Sequence, residues 1–478
     1  MNNLNNEKIL EEYKTQCSVF SADNEYRKKL ANAIGLNETD YFYLRSIIGE
    51  NEFKELTSKL EEKNYMPGAR LDLTKVDSHD NTYIESGEFC ANLHIHTLHS
   101  DGVLSIKDLL EQACELANLN KEKQKSPFPL LLAITDHDCI DGVKEAVIEI
   151  SKNPTKYENL KLVLGVELST ITNKFNHLKK PLLIHTHMFC INPFDKELNK
   201  FIDKKRDLKL KLANETIKKL NIDLNEILTK YNIKLTLEEA ALIHELVTKG
   251  QDEVYLPMKK YVGGKLLFTH YVLNNEFILN ALKENNIDIL TLSYEKPYTK
   301  YKFMFKDGGG YSNNYKKALN KYLAEEILNK TQVFIDFTDI ISKENELIEK
   351  SIEKALEISK KAHPSLDVMP EAFDGFEDTL QLLSTQQYGI FSIAHPGRTV
   401  VKDVDSDLFS LFDNMFSSFK KYAKEKAFSY EGYYQAYNGK KYLDYLEPIN
   451  NSAKKQNLML VGGLDTHGEL ITRRGGNP

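Results

Sequence analysis

The chain is poor in the residues that would build a disulfide framework or a thiolate metal site. Its five cysteines (Cys17, Cys90, Cys114, Cys139 and Cys190) are odd in number, scattered and free of any CxxC pair. That usage argues against both and suits a reducing compartment. No stretch approaches the ~18 apolar residues of a membrane span, and the start, Met1 to Glu7, is polar without a signal-peptide core. A soluble, cytoplasmic protein with no membrane partner is expected. An excess of basic charge is missing too: 63 Lys and Arg stand against 70 Asp and Glu, a net −7. Long nucleic acid gripped through many phosphates is disfavoured, whereas small anionic substrates need only a local field. The triplet Gly308-Gly309-Gly310 is not followed by the Lys-Ser/Thr of a phosphate-cradling loop, which excludes that type of ATPase. No internal repeat or low-complexity tract is present.

What remains is long and apolar enough, at 478 residues and 41% hydrophobic, to bury a large core in two or three domains. Residues 1–88 read as helical: Glu7 to Tyr13, Asn24 to Ile34 and Glu52 to Tyr65 carry helical spacing, and Asn37 to Asp40 resembles an N-cap. Pro67-Gly68 ends that pattern. From 89 to 195 strands (Phe89 to Ile95, Leu130 to Thr135, Leu160 to Val166, Pro181 to Ile184) alternate with helices (Ile106 to Leu116, Val143 to Ser151), the signature of βαβ units and a parallel sheet. Residues 196–385 break this rhythm with a Lys-rich, mostly helical insertion over the barrel mouth. Residues 386–478 restore it with Tyr388 to Ala394, Phe428 to Tyr434 and Leu458 to Leu464, which brings the strands to seven.

Six of the seven apolar runs end in residues able to bind a metal: His94-Ile95-His96, Asp136-His137-Asp138, Glu167, His185-Thr186-His187, His395 and Asp465-Thr466-His467. The seventh carries Glu431 inside it. Residues i and i+2 of a strand share a face, so His94 projects with His96, and Asp465 with His467. Ser100-Asp101-Gly102 forms a tight turn able to aim a carboxylate back at the first pair. Ligands at the ends of many strands are what a closed β/α barrel gathers at one mouth. Imidazole and carboxylate donors without thiolate suit zinc, manganese or iron. Any one histidine is more often structural, but the joint pattern points to a polynuclear site.

The same residues carry a family resemblance. Asn92 to His96 with Ser100-Asp101-Gly102, Thr135 to Asp138, Gly165-Val166-Glu167, Ala394 to Arg398 and Asp465 to Gly468 resemble, in order, the motifs of the polymerase and histidinol phosphatase (PHP) family. The match covers about 89–195 and 385–470, and is nearest to the branch of nucleotide phosphoesterases with Asp in the SDG turn. The resemblance implies an α/β fold: a distorted seven-stranded (β/α)7 barrel, here with an N-terminal helical extension and a large insertion. It also implies two or three divalent metal ions (Mn, Zn or Fe). His94, His96, Glu167 and Asp465 would hold one; Glu167 would bridge to a second on His185 and His395; Asp101, His137 and His467 would hold a third. His185 is preferred to His187 because Ile191-Asn192-Pro193 follows it at the expected spacing.

The expected substrate is a phosphorylated small molecule or short oligonucleotide, attacked by a metal-activated hydroxide. Arg398, directly after the His395 motif, is the candidate phosphate clamp. His270, in Leu267 to His270, resembles a family position and is the candidate proton donor to the leaving group. His99 and His187 are additional to the family pattern. His244 and His363 read as structural. Tyr294 to Tyr315 interleaves aromatics and cations and could stack a base, although an exposed flexible loop is the favoured reading. Lys204-Lys205-Arg206 reads as a solvated helix face without a role. Two other readings stay open: a phosphatase of histidinol-phosphate type, and a non-catalytic metal-bound module. In the latter the N-terminal helices would recruit a partner or a second copy.

Overall fold

The computed structural model describes residues 21–37, 40–62, 90–100, 102, 104–123, 129–172, 182–207, 374–399, 408–422, 426–434 and 443–466, with a few helical residues between 222 and 284. Among these described residues eight strands form one sheet: β1 (Ala91–Ile95), β2 (Leu130–Ile134), β3 (Leu160–Thr172), β4 (Leu182–Phe189), β5 (Asp374–Gly375), β6 (Ile390–Ile393), β7 (Phe428–Tyr434) and β8 (Met459–Gly463). Their order is β1-β2-β3-β4-β6-β7-β8, with β5 attached to β3. Residues beyond the strand ends bring β8 back to β1, through a parallel bridge from Ile95 to Thr466. His96 N–H donates to Thr466 O at 2.8 Å and Thr466 N–H to His94 O at 3.0 Å. Asn92 secures the seam, donating to Thr466 Oγ1 and accepting from Leu464 N. Leaving aside the two-residue β5, the described residues form a nearly closed α/β barrel of seven strands.

Strands β1, β2 and β6 are buried along their whole length. In β2 the odd residues Leu131 and Ala133 face an interior cluster with Leu93, Val163 and Val461. The even residues Leu130, Leu132 and Ile134 face the helices. Helix Asp141–Lys152 meets that outer layer with Val143, Ala146, Val147 and Ile150, an apolar stripe at helical spacing.

One strand departs from expectation. β4 is antiparallel to both β3 and β6, whereas β1-β2-β3 and β6-β7-β8 are parallel. Only residues 173–181 connect β3 to β4, fewer than the dozen or so a parallel crossover needs. The wholly parallel reading of residues 89–195 is therefore corrected. β3 is also longer than expected, and its second half, Gly165 to Thr172, pairs with β4. Its first half is covered on that side by Ser46 to Ile48, which donate and accept across to Leu162.

The N-terminal helices close the barrel floor. Helices Ser21–Ala33 and Glu50–Glu62 lie close to the expected positions, with a 3-10 turn, Asp40–Leu44, between them. Ile48, Phe53 and Leu60 enter the interior cluster, and the Phe53 ring packs on Phe189 of β4 at 5.2 Å. Arg27, buried, donates to Ile47 O and pairs with Glu52. The expected helix Glu7 to Tyr13, the Tyr294–Tyr315 segment, His244, His270, His363 and most of the expected insertion lie outside the described residues. Among the described residues, no helix is long and apolar enough to cross a membrane, and Cys90, Cys114, Cys139 and Cys190 are buried free thiols.

Candidate metal centre

Strand β1 presents its two histidines because its register slips. Ala91 pairs with Leu131 and Asn92 with Leu132, but Ile95 pairs with Ile134, one residue out of step. Ala91 and Leu93 face the interior before this bulge, while Ile95 joins the outer layer after it. Both His94 and His96 thereby point inward. Bulges re-aim side chains in this way beside functional sites. Gly463 permits the close approach from β8, since a Cβ there would lie 2.3 Å from His94 Cβ and 2.5 Å from Glu431 Oε1.

Glu167, wholly buried, stands at the centre. Its Oε2 lies 2.9 Å from His94 Nε2, 3.1 Å from His96 Nε2, 3.4 Å from His137 Nδ1 and 3.9 Å from His187 Nε2. Its Oε1 lies 2.9 Å from His185 Nδ1 and 3.2 Å from His395 Nε2. Each carboxylate oxygen thus faces its own set of imidazoles. Asp465 Oδ1 completes the first set, 3.3 Å from His94 Nε2 and 3.2 Å from His96 Nε2.

The donor set fits divalent ions. Donors about 2.0–2.2 Å from one ion lie roughly 3 Å from their neighbours, and the separations around His94, His96, Glu167 and Asp465 are 2.9–3.3 Å. Among the described residues four triads have ligand atoms all within 4.8 Å of one another: His94, Glu167 and His395; His94, His187 and Glu431; His94, His96 and Asp465; His96, His137 and Glu167. Six imidazoles and two carboxylates converge there, a donor set able to hold a metal ion.

The electrostatics show how tightly these groups are coupled. Burial presses the His94 imidazole toward neutrality, but Glu167, Glu431 and Asp465 outweigh it and hold the pKa well above the ordinary value. Burial works against the Glu167 carboxylate, yet His94, His137 and His185 keep it well below the usual range. His187 is driven well below its ordinary value, by burial and then by the neighbouring His94. An ion among them would replace those protons as the positive partner of the carboxylates.

Three backbone positions at the mouth adopt left-handed angles: Asp138 (φ 44°), His395 (φ 26°) and Asp465 (φ 49°). Such conformations cost of order 1–3 kcal/mol each and persist where the surroundings over-determine them. They also correct the simple strand picture. Asp465 and His395 lie past the ends of β8 and β6, and a turn rather than strand alternation aims them. Glu167, His185 and His187 sit within β3 and β4, because antiparallel β4 enters from the mouth.

Of the expected ligands, the structure brings together His94, His96, His137, Glu167, His185, His395 and Asp465. Asp101 and His467 lie outside the described residues, as does the proposed acid His270. Arg398 falls in the single helical turn Pro396–Thr399 directly after His395. His187 joins the cluster and His99 turns away, its Nε2 2.7 Å from Glu145.

Several positioning residues were not assigned from sequence. Glu431 takes both oxygens to His94 Nδ1, at 3.1 and 3.2 Å, and accepts the His395 N–H at 2.8 Å. With an ion bound, it would keep the proton on Nδ1 and leave the Nε2 lone pair facing the cluster. Asp136 accepts from Thr97 N, Thr97 Oγ1 and Ser100 Oγ, fixing the turn after His96. Lys205 is no solvated cation: fully buried, it donates to Ser169 O at 2.7 Å and pairs with Asp138 at 3.2 Å. Asp138 and Ser169 flank His137 and Glu167, so the helix over 196–207 is pinned beside the centre. The sequence had signalled Glu431 as a carboxylate inside an apolar run and Asp136 as one at the end of a run, but a lysine between two other cations looks like surface.

No protein-family model matches the chain, and no curated protein sequence does. Among solved structures it is similar to a Bifidobacterium adolescentis protein described as a metal-dependent phosphoesterase, at 15% identity and TM-score 0.40, covering 82% of this chain and 90% of that one. It is also similar to an amidohydrolase from Chromobacterium violaceum, at 16% identity and TM-score 0.40, covering 79% and 87% respectively.

Proposed function

We propose that this protein is a metal-dependent phosphoesterase of the PHP type, hydrolysing phosphate esters of nucleotides or short oligonucleotides. The observation that carries the reading is Glu167, whose two oxygens face separate imidazole sets within 2.9–3.9 Å. A carboxylate so placed is suited to bridging two ions, and the sequence order of the ligands follows the family motifs.

His94, His96, Glu167 and Asp465 would hold one ion, and Glu167, His185 and His395 a second; His137 borders the first set and would belong to a third with Asp101 and His467. Ions held there would lower the pKa of coordinated water and neutralise charge on a phosphoryl group. The chain's own residues would do the rest. Glu431 orients His94, Asp136 and Gly102 shape the turn beside His96, and Arg398 would receive the phosphate as a planar fork of donors. The phosphoester preference and the nucleotide leaving group rest on the motif resemblance. The helical segment after 196, anchored through Lys205, would form the substrate-facing wall.

The test is purification with metal analysis, followed by turnover with manganese on 5′-mononucleotides, nucleoside 3′,5′-bisphosphates, 5′-phosphorylated oligomers and a non-nucleotide phosphomonoester. Release of phosphate or nucleotide should vanish in Asp465→Ala and His395→Ala while circular dichroism is retained. Failure of the wild-type protein to act on any of them would count against the proposal.

A further inference from the structure

His187 is the one member of the cluster that neither the spacing of the motifs nor any hydrogen bond explains. It lies two residues beyond His185 on the same face of β4 and directly opposite Glu167 in the antiparallel ladder. The side chain is 1% exposed. Both ring nitrogens are sealed from solvent with no hydrogen-bond partner among the described residues. A neutral imidazole carries one donor and one acceptor, and burial without partners penalises both. An apolar side chain would satisfy the packing better, because the ring sits edge-on against His94, centroids 4.2 Å apart, and 5.2 Å from Phe189 below.

The ring is nevertheless aimed at the centre. His187 Nε2 lies 3.9 Å from Glu167 Oε2. That is beyond hydrogen-bond reach, but it suits two donors lying across an ion from each other at ~2.1 Å apiece. His187 also falls within 4.8 Å of donor atoms of His94 and Glu431.

We propose that His187 is a further ligand of the metal centre, giving Nε2 to the ion held by His94, His96, Glu167 and Asp465. This rests on reading the cluster as a metal centre. It converts a set of two imidazoles and two carboxylates into one of three and two. A third imidazole shifts preference further toward zinc, iron or cobalt and away from magnesium, so the first ion should be retained through purification and resist exchange by magnesium.

The test uses full-length protein stripped of metal, with His187→Phe, which extends the Phe189 packing, and His187→Gln, which keeps a polar group. Cobalt(II) binding is followed by competition with a chromophoric chelator and by visible absorption. The proposal expects at least tenfold weaker retention of cobalt in both variants, an altered cobalt spectrum, and an ion-free thermal midpoint for His187→Phe no lower than that of the parent. Parental affinity and spectrum in whichever variants fold would overturn the ligand assignment. A parent protein that takes up no divalent ion would instead overturn the metal reading itself, so the two failures are distinguishable.

Discussion

Replacing Glu431 by Gln changes one atom and should disable the centre through a proton on a histidine. Glu431 is surrounded by donors: His94 Nδ1–H approaches its oxygens at 3.1 and 3.2 Å, and the His395 N–H reaches Oε2 at 2.8 Å. A carboxylate accepts both. A glutamine offers one oxygen and one NH2 group, and the shorter backbone bond to His395 will claim the oxygen. The amide N–H then faces His94 Nδ1, which can accept it only if the ring proton moves to Nε2. That atom is 2.9 Å from Glu167 and 3.3 Å from Asp465, where the ion would bind. Loss of such an orienting partner costs about 10–100-fold in metal affinity, or roughly 1.4–2.8 kcal/mol at 1.4 kcal/mol per decade. Chelator competition on stripped protein measures it directly. Retention of zinc or cobalt within twofold of the parent, with the fold intact, would refute the assigned tautomer and Glu431's role in setting it.

Acid and base should act on the ion-free protein in opposite senses. Glu167 is depressed by its histidines, so its stabilisation is present above the ordinary carboxylate value of about 4.5 and is lost as pH falls through the lower folded value. His94 is raised by its carboxylates despite burial, so its contribution is complete below about 6.5 and is lost as pH rises through the folded value. Thermal midpoints across pH should therefore be highest between about 4.5 and 6.5 and fall on either side, and added ion should remove the decline on the alkaline side. Ion binding must also expel the His94 proton, and calorimetry in two buffers of different ionisation enthalpy should report protons released. Gly463→Ala would drive a methyl to 2.3 Å from His94 Cβ; about 1–3 kcal/mol of destabilisation is expected for overpacking, visible in urea unfolding together with weaker metal retention. Lys205→Met leaves Asp138 buried beside an apolar side chain and should cost about 3–5 kcal/mol; Lys205→Met combined with Asp138→Asn should recover part of it, whereas additive losses would show that the pair is not coupled.

The sequence alone determined where seven of the eight described strands begin and the chemistry gathered near their ends, but it placed the ends of β3 and β4 too early and did not show β5. Local pattern carries that information: apolar runs such as Leu130 to Ile134 bury on both faces, and His94 with His96 at i, i+2 must share a side. It could not determine the direction of β4, because two-residue alternation reads the same either way; the short link after Thr172 and pairing with β3 decide it. Nor could it determine which side of β1 faces inward, since a single-residue slip against β2 reverses that choice. Glu431 and Lys205 acquire their roles only from groups far away in the chain, His94 and His395 for one and Asp138 for the other. Helix Glu50–Glu62 becomes a barrel floor only once there is a barrel to plug. Local propensity is written residue by residue, but parity, direction and coordination arise from contacts between distant segments, and only the folded chain brings those together.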